Sequence, residues 1–252
     1  MKLRYLSDLH LEFIKPNKLK HFINKIPHGK DEICILAGDI GNPYKSNYDI
    51  FMNFMSKNFK KTFIIAGNHE YYNKKKMIYE TDSFLETYFE QFYNISFLNN
   101  QYELYNNFCF IGTTLWSKIT NPLYKINDEY QIPNFDHIQY NKLNDECVDF
   151  LKSVLKDSCL KNCIVITHHM PSESLVDTKY KTPDLLPYNQ WYYCDLDELI
   201  DINRDKIKCW FYGHTHTPSD VIINDIPFLC NPIGYPNENK IINFGKTIDI
   251  SE

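Results

Sequence analysis

The chain has 252 residues, a formal net charge of −5 and a hydrophobic share of 43%, which is enough apolar material for a sizeable core. Charged residues at 23%, aromatic residues at 15%, 8 Gly and 12 Pro exclude a disordered, collagen-like or linker-like chain. The slight excess of acid leaves no global attraction to a nucleic-acid backbone and weighs against duplex binding.

The opening residues Met1 to Asp8 reach a carboxylate before any apolar stretch has signal-peptide length, and no later apolar run reaches about 18 residues. A soluble cytoplasmic protein is expected. Its eight cysteines contain no Cys-x-x-Cys, and several sit inside apolar runs, so buried reduced thiols are expected rather than disulfides or a zinc ribbon.

Short apolar runs that end in polar residues recur along the chain. Leu3–Leu6 stops at Ser7-Asp8, Ile33–Ala37 at Gly38-Asp39, and Phe63–Ala66 at Gly67-Asn68, each reading as a buried strand. Between them Tyr48–Asn58 places Phe51, Phe54 and Met55 at helical spacing, a β-α-β pattern. A helical stretch around Ser83–Phe92 precedes a strand at Asn107–Gly112. A helix over Asp145–Lys156 follows, with Val148, Leu151 and Leu155 on one face. The alternation resumes with Cys163–Thr167 before His168-His169, and Ile207–Tyr212 before Gly213-His214-Thr215-His216. Val221–Ile223, Pro227–Cys230 and Lys246–Ile250 lack intervening helices and read as antiparallel strands closing a second sheet. Lys74-Lys75-Lys76 reads as a solvated helix face. Residues 116–139 and 171–193 lack clear periodicity but are too aromatic for disorder, so the expectation is a single domain over 1–252 with two aromatic-rich inserts.

Polar chemistry gathers where the inferred strands end. Asp8 and His10, Asp39, Asn68 and His69, His168 and His169, and His214 and His216 all follow apolar runs. In an α/β sheet the loops beyond the strand carboxyl ends form the ligand crevice, so five strands can aim these groups at one point. Massed carboxylates and imidazoles call for cations among them.

Asp8-Leu9-His10, Gly38-Asp39, Gly67-Asn68-His69-Glu70, His168 after an apolar strand, and Gly213-His214-Thr215-His216 together resemble the calcineurin-like metallophosphoesterases. The flanks Ser7 to Phe13, Thr114-Leu115-Trp116 and Cys230 to Pro236 look like a branch of small bacterial-type members. The resemblance implies a two-sheet β-sandwich flanked by helices, a four-layer αββα fold, with two divalent metal ions at the strand C-terminal ends. Asp8, His10 and His216 would hold one ion and Asn68, His168 and His214 the other, with Asp39 bridging. Oxygen and imidazole donors without thiolate suit Mn²⁺, Fe or Zn²⁺ and leave the choice open; Mn²⁺ is the first expectation for this resemblance, with Fe, Zn²⁺ or Ni²⁺ as alternatives.

The implied chemistry is in-line attack on a phosphate ester by a hydroxide bridging the two ions. His69 is read, as its motif position implies, as the catalytic imidazole that stabilises charge or protonates the leaving group; the alternative is a residue that orients a ligand. Successive side chains on an extended segment point oppositely, so His168 and His169 would not share an ion, and His169 is left to orient a ligand or touch phosphate. The arginines that clamp phosphate in the protein phosphatase branch are missing, with Lys179 and Arg204 as candidates from elsewhere. A small phosphodiester or nucleotide is the expected substrate; a phosphomonoesterase, a nuclease or a silent interaction scaffold are the alternatives. Trp116, Tyr124, Tyr130, Phe135, Tyr188, Trp191, Tyr192 and Tyr193 can form a lid that stacks on substrate, with Trp116 and Trp191 as substrate contacts, or equally can pack those segments against the body. Oligomeric state is left open.

Overall fold

A computed structural model describes residues 1–123, 125–239 and 241–251. Among the described residues eleven strands form two sheets. The first holds β1 (Lys2–Leu6), β2 (Gly29–Ala37), β3 (Phe59–Ile65), β4 (Ile95–Phe97) and β11 (Thr247–Asp249), in the order β11-β1-β2-β3-β4. The second holds β5 (Gln101–Tyr105), β6 (Phe108–Thr113), β7 (Cys163–Thr167), β8 (Ile207–Tyr212), β9 (Ser219–Ile223) and β10 (Ile226–Cys230), in the order β5-β6-β7-β8-β10-β9.

β1 to β4 run parallel, as do β6, β7, β8 and β10, so the polar residues that follow them emerge at common edges. These strands read as continuous apolar runs because both faces are covered. Leu3, Ile35 and Phe63 meet Phe110, Ile166 and Phe211 between the sheets, with Phe63 stacked on Phe110 at 3.9 Å. Alternate residues such as Leu36, Ile64, Val165 and Trp210 turn outwards to the helices. Those helices are α1 (Pro16–Ile23), α2 (Ser46–Asn58), α3 (Ile78–Phe89), α4 (Asp128–Gln131), α5 (His137–Lys156) and α6 (Asp197–Asn203).

The tail departs from its sequence reading. β9 and β10 do form an antiparallel pair, but β10 is parallel to β8, and β11 crosses to the first sheet and pairs antiparallel with β1. Asn231 guides the crossing, its side-chain amide donating to the Tyr5 and Asn243 carbonyls at 2.9 Å each. α5 begins eight residues before Asp145 because Asp136 caps it, accepting from the Ile138 and Gln139 amides at 3.0 and 2.9 Å. All eight cysteines are free and seven are buried. Among the described residues no helix is long and apolar enough to cross a membrane.

Candidate metal centre

Five loops converge at the strand C-terminal ends, and their backbones are fastened to one another. The Asp8 amide donates to the Gly38 carbonyl, and the His10 amide to the Asp39 carbonyl, each at 3.0 Å. Gly213 donates to the His168 carbonyl at 3.0 Å, and the His214 amide reaches the Asp8 carboxylate at 3.0 Å. Glu70 ties β2 to β3: its carboxylate accepts from the amides of Asp39, Ile40, Gly41 and Gly67 at 3.0, 2.7, 3.1 and 2.6 Å. Burial and the nearby Asp39 charge push the Glu70 carboxyl up to about 7. Gly67 is required by close approach, since a Cβ there would strike Asp39 Oδ1 and lie 2.7 Å from His168 Cε1.

Asp8, His10 and His216 offer ligand atoms within 4.8 Å of one another, and so do Asp39, His168 and His214. Asn68 joins the second group, its Oδ1 lying 3.1 Å from His168 Nε2. The seven residues singled out in the sequence are therefore brought together. A third cluster, His10, Glu12 and His69, was not expected as a group.

The donor set fits cations. His168 Nδ1 donates to the Ala37 carbonyl at 2.9 Å, which leaves Nε2 facing Asp39 Oδ1 at 3.3 Å and Asn68 Oδ1. Carboxylates orient two other rings in the same sense: His216 Nδ1 donates to Glu238 at 2.7 Å and His10 Nδ1 to Glu12 at 3.3 Å. Their Nε2 atoms then face each other at 3.0 Å, and two imidazole lone pairs so placed need a cation or a proton between them. Burial opposes charging of His168 and His216, but Asp39 raises His168 to about 10, and Asp8 raises His216 to about 9. Asp39 itself is buried, yet His168 and His69 hold it well below the usual carboxylate range.

His69 sits beside this cluster. Its Nδ1 donates to Glu12 at 2.9 Å, so Nε2 is turned towards the cleft, 4.0 Å from Asp39 Oδ2 and 3.1 Å from the Tyr235 hydroxyl. Tyr235 also stacks on His10, with ring centroids 4.5 Å apart. Glu12, Glu238 and Tyr235 carried no assigned role in the sequence, because what each does depends on a partner ring brought near by folding. The flanking strings Leu11-Glu12-Phe13 and Gly234-Tyr235-Pro236 were the available signal.

His169 is fully buried and takes no part in the cleft. Its Nδ1 donates to the Thr114 carbonyl at 3.3 Å while Nε2 faces the Tyr140 hydroxyl at 2.9 Å. Burial, with His168 adding to it, pushes this ring down to about 3, so it is an uncharged wall behind His214 rather than a phosphate contact. Trp116 and Trp191 correct the sequence reading in the same way. Trp191 is fully buried and packs edge-on against Tyr140, and Trp116 packs against Tyr140 and Phe135. Neither lines the cleft, because large flat side chains bury most area by filling the space beneath it.

The cleft, about 440 Å³, is lined by Tyr188 and Tyr192 of the aromatic set singled out in the sequence and by Tyr72, Tyr180 and Tyr235 outside it, along with Asp39, Asn68, His69, His214 and His216. Tyr130 is exposed outside it, Phe135 is buried, and Tyr124 lies outside the described residues. Arg204 pairs with Asp201 and Asp205 on the surface, and Lys179 donates to Thr217 Oγ1 at 2.9 Å, so neither stands in the cleft as a phosphate clamp.

This fold and this cluster define a hydrolase of phosphoester bonds. The chain belongs to the calcineurin-like phosphoesterases, whose family model matches residues 1–218. It is 36% identical to the uncharacterized protein L509 of Acanthamoeba polyphaga mimivirus, over 99% of this chain and 97% of that protein. Among solved structures, the phosphopantetheinyl hydrolase of Mycobacterium tuberculosis superposes with a TM-score of 0.77 at 15% identity, covering 98% of this chain and 95% of its own. A Staphylococcus aureus protein described as a 5'-nucleotidase, in complex with alpha-ketoglutarate, superposes with a TM-score of 0.51 at 15% identity, over 91% of this chain and 48% of its own.

Proposed function

We propose that this protein is a two-metal hydrolase of small phosphodiesters, nucleotide esters included, working as one domain in the cytoplasm. The observation that carries the reading is the convergence of seven side chains from both sheets, with imidazole nitrogens and carboxylate oxygens facing one another. Asp8, His10 and His216 would hold one ion, Asn68, His168 and His214 the other, and Asp39 both. The thiolate-free set, three oxygen donors and four imidazoles, suits Mn²⁺, which we take first, and equally Fe, Zn²⁺ or Ni²⁺. Such ions supply the acidity that ionises water near neutral pH and the charge that clamps attacking and leaving oxygens.

The remaining work falls to the chain. Glu12 holds the Nδ1 proton of His69, so the charged ring, with its second proton on Nε2, can give that proton to the leaving oxygen or offset the negative charge developing there. Tyr235, beside the same nitrogen, closes the site from the C-terminal loop. A diester is favoured over a monoester because none of the described cleft residues is Lys or Arg, leaving the second charge of a monoester without a partner beyond the metals. The reduced, buried cysteines agree with a reducing compartment. The scaffold alternative loses weight because no candidate ligand is missing.

The test is reconstitution. Chelator-stripped protein should be inactive and should regain hydrolysis of cyclic or linear dinucleotides and aryl diesters with Mn²⁺. Full activity in excess chelator, with no bound transition ion, would remove the proposal.

A further inference from the structure

Both aromatic inserts contribute residues to the lining of the cleft, and among the described residues there one buried carboxylate oxygen has no partner. Asp128, on α4, is fully buried; its Oδ1 accepts from Asn68 Nδ2 at 2.8 Å and from the Tyr72 hydroxyl. Its Oδ2 is buried without any hydrogen bond, and the residue lines the cleft. A carboxylate oxygen left so is costly and calls for a donor. Around it the walls are uncharged and partly apolar: Ile126, Val176, Tyr180, Leu185 and Tyr192. Apart from the metal-site groups, the described lining residues hold one other charged side chain, Glu238, an acid like Asp128, so a second phosphate would meet carboxylates, whereas an N–H or O–H would meet an acceptor.

We propose that Asp128 Oδ2 is a substrate-recognition site, accepting a hydrogen bond from an amide or hydroxyl on the organic arm of the phosphoester. This rests on the phosphoesterase reading and narrows it to a diester bearing one phosphate and an uncharged arm with a hydrogen-bond donor. The apolar and tyrosine walls take the rest of that arm. Asp128 adjoins the metal centre through Asn68, which donates to its Oδ1 and whose own Oδ1 faces His168, so the donor proposed is one a few bonds from the ester oxygen.

The test uses the metal-loaded full-length protein and two p-nitrophenyl phosphodiesters. One carries a 2-acetamidoethyl arm and the other its N-methylated counterpart, so the pair differs in a single amide hydrogen. The wild type should favour the N–H arm in kcat/KM by about tenfold or more, in line with a hydrogen bond to a charged acceptor. Calorimetry with the corresponding methylphosphonate monoesters should show the same preference in Kd. In Asp128→Asn, which places a donor where Oδ2 was, both preferences should collapse to within about twofold, whatever the absolute rates. Equal use of the two arms by the wild type would overturn the assignment. So would a preference that survives in Asp128→Asn while elemental analysis shows metal loss, which leaves Asp128 only the task of holding Asn68. Failure of the loaded protein to hydrolyse either diester or bis(p-nitrophenyl) phosphate would overturn the phosphoesterase reading and this assignment with it.

Discussion

Asp8, His10, Asp39, His214 and His216, five of the seven candidate ligands, have left-handed backbones with φ between 48° and 66°. For residues with a Cβ that conformation costs roughly 1–2 kcal/mol each, and it persists only where the surroundings over-determine it. Here the fastened loops and Glu70 do so, which concentrates strain where the chemistry lies. Asp39 and His69 separate two functions within this geometry. If Asp39 bridges two ions as proposed, Asp39→Asn removes the charge that both would share and should lower the content of both, read by elemental analysis. His69→Ala should keep them while kcat falls about 10²–10⁴-fold, the range for a lost acid or base. Equal metal loss in the two variants would show that His69 is a ligand. The metal candidates were legible because each directly follows an apolar run, a pattern visible one segment at a time. Glu12 and Glu238 were not, since their worth lies in hydrogen bonds to His69 and His216, which the chain order does not show.

At the scale of elements, the aromatic segments show why a lid and plain packing could not be told apart in the sequence. The same ring serves as a substrate platform or as filling, and burial alone decides between them; Trp191 sits at the end of a 3-10 turn over Leu186–Trp191 and is sealed against Tyr140. Trp191→Ala should therefore lower stability by about 3–5 kcal/mol and reduce kcat/KM equally on nucleotide and aryl diesters. A loss confined to the nucleotide would restore the stacking role.

α3 carries a second element-scale test. Burial raises the Asp82 carboxyl to about 6, despite a hydrogen bond from the Tyr71 hydroxyl at 2.7 Å. A carboxyl with a raised folded-state pKa favours the native state most below its unfolded value near 4, and that advantage drains away as pH rises to about 6. Asp82→Asn should accordingly match the wild type in urea unfolding near pH 4 and exceed it by roughly 1–2 kcal/mol at pH 7.5, partial exposure having been allowed for. A variant that is weaker at pH 7.5 would refute this account.

For the whole molecule, the family match ends at residue 218 but the fold does not. β10 lies inside the second sheet between β8 and β9, and β11 covers the free edge of β1. This was hard to read in the sequence because three short strands without helices look alike, and only the crossing at Asn231 decides which sheet the last one joins. Ile226, Phe228 and Leu229 of β10 are buried, and at roughly 1.5–3 kcal/mol each they contribute about 5–9 kcal/mol, comparable with the net stability of an ordinary domain. The same stretch supplies Tyr235 beside His69 and Glu238 on His216, so the end of the chain completes both the core and the site. A chain cut after residue 218 should consequently show no cooperative melting transition and no stoichiometric metal binding. The full-length protein should melt cooperatively and lose several degrees of Tm when stripped of metal, since ions held from both sheets stabilise the native state by mass action. A truncated chain that melts cooperatively and binds two ions would show that the last strands are accessory.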